Sequence, residues 1–191
     1  MKRCILLGIF FIFGINSAAF AWDLQFGYHR LKPLIGANER DYEGSGGSKI
    51  SFKPEPNTTA IGQSFTFGVV IDEYSIQLEQ GEFAYTSDIP STNTDLSGDT
   101  EAEVHFLEKR LGVNYHFERD LAGFYIGTGF SNDLETISTN AGEWTATSTI
   151  PFVKFGLDVI LNSWKIRTEQ IHLWIGPHVV RVISVGFLFQ M

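Results

Sequence analysis

Large apolar side chains return at every second position in one segment of this chain after another. In residues 61–71, Ile61, Phe65, Phe67, Val69 and Ile71 fall on one face together with Gln63, while Gly62, Ser64, Thr66, Gly68 and Val70 fall on the other. Alternation sustained over about ten residues marks a strand whose two faces meet different media. The same test predicts strands around Trp22, Leu24, Phe26 and Tyr28, around Leu111, Val113, Tyr115 and Phe117, and around Phe124, Ile126, Thr128 and Phe130. Two more run through Val153, Phe155, Leu157, Val159 and Leu161, and through Ile183, Val185, Phe187, Phe189 and Met191. In residues 74–85 the apolar parity switches between Leu78 and Phe83, and in residues 164–175 between Ile166 and Ile171. The pattern predicts a bulge in each, because one extra residue flips the facing of everything after it.

That makes eight strands, and the connections between them fall into two classes. Residues 32–60, 87–100 and 138–143 are long and polar, whereas residues 72–73, 118–121 and 162–163 are tight turns. A fourth connection of the first class, around Gly176 and Pro177, is short. Long and short connections alternate when the two ends of a barrel face different compartments and only the external side has room to grow. The predicted fold is all-β: an eight-stranded antiparallel up-and-down transmembrane β-barrel. Aromatic residues gather at both predicted rims, as rings at a lipid–water boundary do. The periplasmic set is Trp22, Tyr74, Tyr115, Phe117, Phe124, Trp164, Phe187 and Phe189; the outer set is Tyr28, Tyr85, Phe130, Trp144 and Trp174.

The chain opens with Lys2 and Arg3, a short apolar run and a small-residue stretch ending Ala19, Phe20, Ala21. This predicts a secretory signal peptide over residues 1–21, cut after Ala21, with the barrel occupying residues 22–191. The single cysteine, Cys4, would leave with the signal, so neither a disulfide nor a thiolate metal site is expected in the exported chain. Acidic residues outnumber basic ones, 22 to 14. That balance disfavours nucleic acid as a partner.

At this point the sequence resembles the eight-stranded outer-membrane proteins of the OmpA-barrel, OmpX and opacity type. The resemblance covers residues 22–191 and rests on strand count, connection asymmetry and the final strand. Residues 182–191 are similar to the signal read by the outer-membrane assembly machinery, although they end on Met191 rather than an aromatic residue. The resemblance implies a location in the cell outer membrane.

An eight-stranded barrel has room inside for side chains but not for a water channel. A porin is therefore not expected. The inward positions supply Asp23, Gln25, His29, Glu108, Arg110, Lys154, Asp158, Arg167 and Glu169, and charges withdrawn from water need partners, so an ion-pair network in the lumen is predicted. Arg30, Lys109 and Arg181 share the lipid-facing parity near the outer ends of their strands and are candidates for contact with lipopolysaccharide phosphates. Glu39, Asp41, Glu43, Asp88, Asp95, Asp99, Glu101 and Glu103 lie in or near the outer connections without the spacing of a calcium loop, which reads as a solvated acidic surface. His29, His105, His172 and His178 approach the outer level, but no G-x-S-x-G or H-E-x-x-H motif accompanies them. No catalytic residue, metal or cofactor is assigned.

The preferred reading is a monomeric, non-enzymatic barrel surrounded by outer-membrane lipid, whose external loops adhere to a surface ligand or stabilise the envelope. A lipid A modifying enzyme and a soluble lipocalin-like carrier, whose large residues would face inward, are the alternatives.

Overall fold

The computed structural model describes residues 22–36, 39–54, 60–89, 100–173 and 179–191. The predicted signal peptide, most of residues 87–100 and the connection around Gly176 lie outside them. Ten strands are formed: β1 Trp22–Ile35, β2 Arg40–Gly44, β3 Lys49–Phe52, β4 Ile61–Ile71, β5 Tyr74–Ile89, β6 Thr100–Arg119, β7 Ala122–Thr139, β8 Gly142–Leu161, β9 Trp164–Leu173 and β10 Val179–Gln190. Eight of these close a barrel in the antiparallel order β1, β4, β5, β6, β7, β8, β9, β10, with β10 paired back to β1. Closure leaves no sheet edge in the hydrocarbon, where an unpaired backbone group has no water to bond. The first and last strands also meet at the rim, through bonds between Leu24 and Met191 in both directions, 2.8 and 3.0 Å long.

Stepping from partner to partner around the barrel from Leu24, through Val69, Ile76, Val113, Thr128, Val153, His172 and Arg181, the path returns to Leu34, ten residues along the strand where it began. A stagger of this size tilts the strands by roughly 45°. Each residue then climbs ~2.3 Å, and about eleven residues cross the ~25 Å apolar band of such a barrel. Strands β6, β7 and β8 are 20, 18 and 20 residues long. They therefore continue beyond the band as a projecting sheet. The inner turns are tight, with Asp72, Asp120 and Asn162 at φ 52°, 52° and 55°, a conformation their short polar side chains tolerate.

Several sequence expectations change here. There is no bulge in β5 or β9, and their registers run without interruption against β4, β6, β8 and β10. The apolar parity switches because the environment does. Below the switch Ile76 and Leu78 point outward and Gln77 and Glu79 inward; above it Gln80 and Glu82 point outward and Phe83 and Tyr85 inward. The register does slip in β1, between Leu34 and Ile35 opposite β10. Residues 138–143 are not an extended connection, since β7 and β8 pair up to Thr139 and Gly142. Residues 32–60 hold the hairpin β2–β3, which pairs with the top of β8 at Glu43–Thr145 and Gly44–Trp144.

Along the lower barrel the outward face is apolar. The periplasmic girdle is present in Trp22, Tyr74, Tyr115, Phe117, Phe124 and Trp164, with Tyr74 and Tyr115 centroids 5.0 Å apart and Trp164 and Phe189 4.9 Å apart. Two residues assigned to the outer girdle point the other way: Tyr85 and Trp144 are buried in an internal apolar cluster. A lipocalin-like carrier would turn its large side chains inward at this depth, whereas Leu78, Leu111 and Leu157 are all more than half exposed.

On β5–β8 the outward face thus turns polar at Gln80, Lys109, Asn132 and Thr149, direct cross-strand neighbours that follow Leu78, Leu111 and Phe130 along their strands. Val113→Arg, below that row, should lower unfolding free energy in lipid vesicles by about 2–4 kcal/mol, while His105→Arg, above it, should change it by less than about 1 kcal/mol. Urea titration followed by tryptophan fluorescence measures both.

Candidate functional site

Inward residues of the lower barrel come from all eight staves, so opposite charges meet across the axis. Asp158 receives Nε and Nη2 of Arg167 at 2.8 and 2.7 Å, a bidentate pair, and the guanidinium lies 4.0 Å from the Tyr125 ring centroid. The Tyr125 hydroxyl donates to Glu169, which also accepts from Ser184 at 2.9 Å and faces His29 at 3.8 Å and Lys154 at 3.9 Å. Lys154 donates to Gln77 at 2.9 Å and faces Glu79 at 3.9 Å. Glu79 accepts from Arg110 at 2.8 Å and Ser64 at 2.9 Å, and Arg110 reaches Glu108 at 3.1 Å. One chain of contacts therefore runs from Asp158 at the inner end to Glu108 beneath the internal apolar cluster.

Of the predicted lumen residues, Gln25, His29, Glu108, Arg110, Lys154, Asp158, Arg167 and Glu169 are buried. Asp23 is exposed at the inner mouth, where Gln190 donates to it at 2.7 Å. Sequence reasoning missed Glu79, Gln77 and Tyr125, which link the pairs, and Lys165, which donates to Glu118 at the mouth. Glu79 and Gln77 were hidden by the bulge assigned to β5; an unbroken period of two from Ser75 to Gly81 exposes them. Near the mouth, donor atoms of His116, Glu118 and Asp158 lie within 4.8 Å of one another, but Lys165 and Arg167 already neutralise the two carboxylates. Ser75 Oγ and His116 Nε2 are 2.8 Å apart, the spacing of a nucleophile and its base, yet both residues are buried.

Above the ion pairs the interior becomes apolar. Leu31, Phe83, Val104, Phe106, Ile137, Ile150, Phe152, Ile171 and Val182 face one another, and the β2–β3 hairpin inserts Tyr42, Ile50 and Phe52 among them. The hairpin is fastened by Arg40, 2.9 Å from the buried Glu135 carboxylate, and by Tyr42, whose hydroxyl also bonds Glu135. Burial, with the Glu135 charge adding to it, pushes the Tyr42 phenol well above its ordinary range, so it remains a donor. Trp144 Nε1 donates to Ser48 at 3.0 Å, tying the hairpin tip to β8.

On the outside, Arg30 and Lys109 are exposed and Arg181 is half-buried, all on outward positions at the upper border of the apolar band. Among the described residues none of the three has an ion-pair partner within 4 Å. Of the histidines expected near this level, His29 is internal, His105 pairs with Glu103 at 3.1 Å, and His172 bonds Gln170 at 2.8 Å. His178 lies outside the described residues.

No family model and no curated protein matches the sequence. Solved structures do match. OprG of Pseudomonas aeruginosa superposes with a TM-score of 0.63 at 15% identity, covering 90% of this chain and 97% of that one. The fold is that of the eight-stranded outer-membrane β-barrels. The N-terminal barrel domain of Pseudomonas aeruginosa OprF (TM-score 0.57, 13% identity, 88% and 97% covered) and Neisserial surface protein A (0.54, 13%, 89% and 97%) are similar in the same way. With an apolar belt around a closed barrel, this fold locates the chain in a bacterial outer membrane.

Removing one partner from a buried pair leaves the other charge uncompensated. Asp158→Ala should destabilise the barrel by about 3–5 kcal/mol, and Asp158→Leu combined with Arg167→Met by far less, in urea unfolding from vesicles. Arg40→Ala should free the hairpin without unfolding the barrel. Trypsin would then cut at Lys49 in intact cells, where the wild-type hairpin resists; equal resistance would show that the Arg40–Glu135 pair does not hold it.

Proposed function

We propose that this protein is a closed, non-porin, non-enzymatic barrel acting as a monomer, and that its function lies in the surface structure it displays: adhesion to an external ligand or stabilisation of the envelope. The observation that carries this reading is a sealed interior beneath a projecting sheet. Arg110, Lys154 and Arg167 are each no more than 2% exposed, so no water-sized space lies beside them, and the hairpin core closes the space above. The polypeptide has invested its long strands in β5–β8, whose upper parts present Asp88, Glu101, Glu103, Thr136, Thr145 and Thr147 to solvent. A barrel of similar fold is Ail, the attachment invasion locus protein of Yersinia pestis, solved with the heparin analogue sucrose octasulfate (TM-score 0.50, 10% identity, 90% and 99% covered). An attachment role at the surface is consistent with that likeness.

The wider partners follow from the location. Arg30, Lys109 and Arg181 form a cationic rim for lipopolysaccharide phosphates, and the alternating face Ile183, Val185, Phe187 and Phe189 of β10 serves as the signal for the assembly machinery.

In planar bilayers the purified protein should give no unitary conductance steps; stable open channels would contradict the sealed lumen. Lipid A extracted from cells with and without the gene should have identical mass spectra, and a new acylation or deacylation product would instead favour the enzyme. Replacing residues 40–52 with a Gly/Ser linker should abolish the adhesion or detergent-resistance phenotype of a complemented deletion strain while the barrel still assembles. Full retention of that phenotype would sink the surface role of the hairpin.

A further inference from the structure

Two cavities lie one above the other on the outer wall. The lower, about 860 Å³, is within the apolar band and is floored by Phe67, Leu78, Leu111 and Phe130, with Lys109 and Asn132 at its upper end. The upper, about 620 Å³, is bordered by Arg30, Gln63, Glu82, His105 and Thr136. They adjoin along the same strands: Phe65 and Gln63 on β4, Gln80 and Glu82 on β5, Lys109 and Leu107 on β6, and Asn132 and Leu134 on β7 stand two residues apart, one of each pair in each cavity. Together they make a single groove, oily in its lower half and mixed in its upper half, where Ile61, Leu107 and Leu134 stand among the polar residues.

Its charges are placed for an anion. Arg30 and Lys109 are outward, unpaired among the described residues, and separated by three strand spacings across and two residues along the strands, ~16 Å over the wall. Glu82 on the groove wall accepts from the Gln63 amide at 2.7 Å and keeps its negative charge, so the anion must sit toward Arg30 and Lys109 and away from it; the Asn132 amide donates to Thr149 at 3.0 Å beside Lys109. Two unpaired cations at the hydrocarbon border of a chain with excess acid call for an anion supplied from outside, and the border supplies lipid phosphates.

We propose that this groove is a stoichiometric seat for one phosphorylated, acylated glycolipid of the outer leaflet. An acyl chain lies over Leu78, Leu111 and Phe130. The sugar head occupies the upper cavity with its phosphates on Arg30 and Lys109, a spacing that suits a disaccharide phosphorylated at both ends. This rests on the rim-cation reading above and narrows it to one site. Arg181, on β10, belongs to the general cationic rim and not to the seat.

The test is native mass spectrometry of the full-length barrel, purified in detergent and titrated with lipid A. One lipid A should be retained per barrel. Dephosphorylated lipid A and phosphatidylglycerol, the alternative phosphate source, should each bind at least about tenfold more weakly, a difference of ~1.4 kcal/mol. Arg30→Ala with Lys109→Ala should weaken binding by at least that factor, and so should Leu111→Asn with Phe130→Asn. Arg181→Ala with Lys32→Ala, Lys32 being an exposed β1 residue that borders neither cavity, should leave the one-to-one complex intact. All these positions are on the outer surface, and heat-modifiable migration on detergent gels verifies that each variant is folded. Equal losses from the groove and off-groove pairs, graded binding without a fixed stoichiometry, or equal affinity for phosphatidylglycerol would each overturn the seat. None of these outcomes bears on conductance or adhesion, so the sealed-barrel reading stands or falls separately.

Discussion

A closed sheet divides space into an inside and an outside, and here the outside changes solvent part-way up. On β5–β8 the wall below the Gln80–Lys109–Asn132–Thr149 row meets hydrocarbon; above it the wall meets water. Everything else in the molecule answers to that boundary. Below it, apolar side chains face out and the polar complement is forced into the lumen. Above it, the hydrophobic effect acts as in any soluble protein, drawing Phe83, Phe106, Ile137 and Phe152 inward. The same strand therefore reverses its sidedness without any break in its backbone.

Polar side chains confined to a narrow lumen are costly unless each charge finds a partner, and the network does this by sharing. Glu79 serves Arg110, Ser64 and Lys154, while Glu169 serves Tyr125, Ser184, His29 and Lys154. Because each carboxylate answers to partners on different strands, the pairs fix relative strand positions as well as charge balance. A net gain in stability over an apolar filling does not follow from their presence. Their value lies in the filling itself, which leaves the lower barrel solid, as the hairpin leaves the upper barrel solid.

Strand number, closure and the lipid-facing set were legible in the sequence, because a period of two survives wherever one face meets hydrocarbon. Most of the buried lumen residues on β1, β6, β8 and β9 follow the same parity, although Asp23 lies at the exposed mouth and Lys165 was passed over. The misread positions on β5 and at the outer girdle had one cause. Reading apolar as outward along a whole strand turned the switch at Leu78–Phe83 into a bulge, hid Glu79 and Gln77, and assigned Tyr85 and Trp144 to a girdle they do not join. The β2–β3 hairpin was invisible for a different reason: its apolar residues Tyr42, Ile50 and Phe52 are too few and too widely separated to stand out from a polar stretch. Its anchor at Glu135 depends on contacts across 95 residues of sequence, which no local pattern carries.

Spin labels placed one at a time along β6 in lipid vesicles test the sidedness reversal most directly, through collision with oxygen dissolved in lipid and with a water-soluble nickel reagent. Outward positions Phe117, Tyr115, Val113 and Leu111 should favour oxygen, and Lys109, His105 and Glu103 should favour nickel, with inward Asn114, Arg110 and Phe106 shielded from both. Oxygen exposure continuing past Lys109, or inward positions more open than outward ones, would contradict the account.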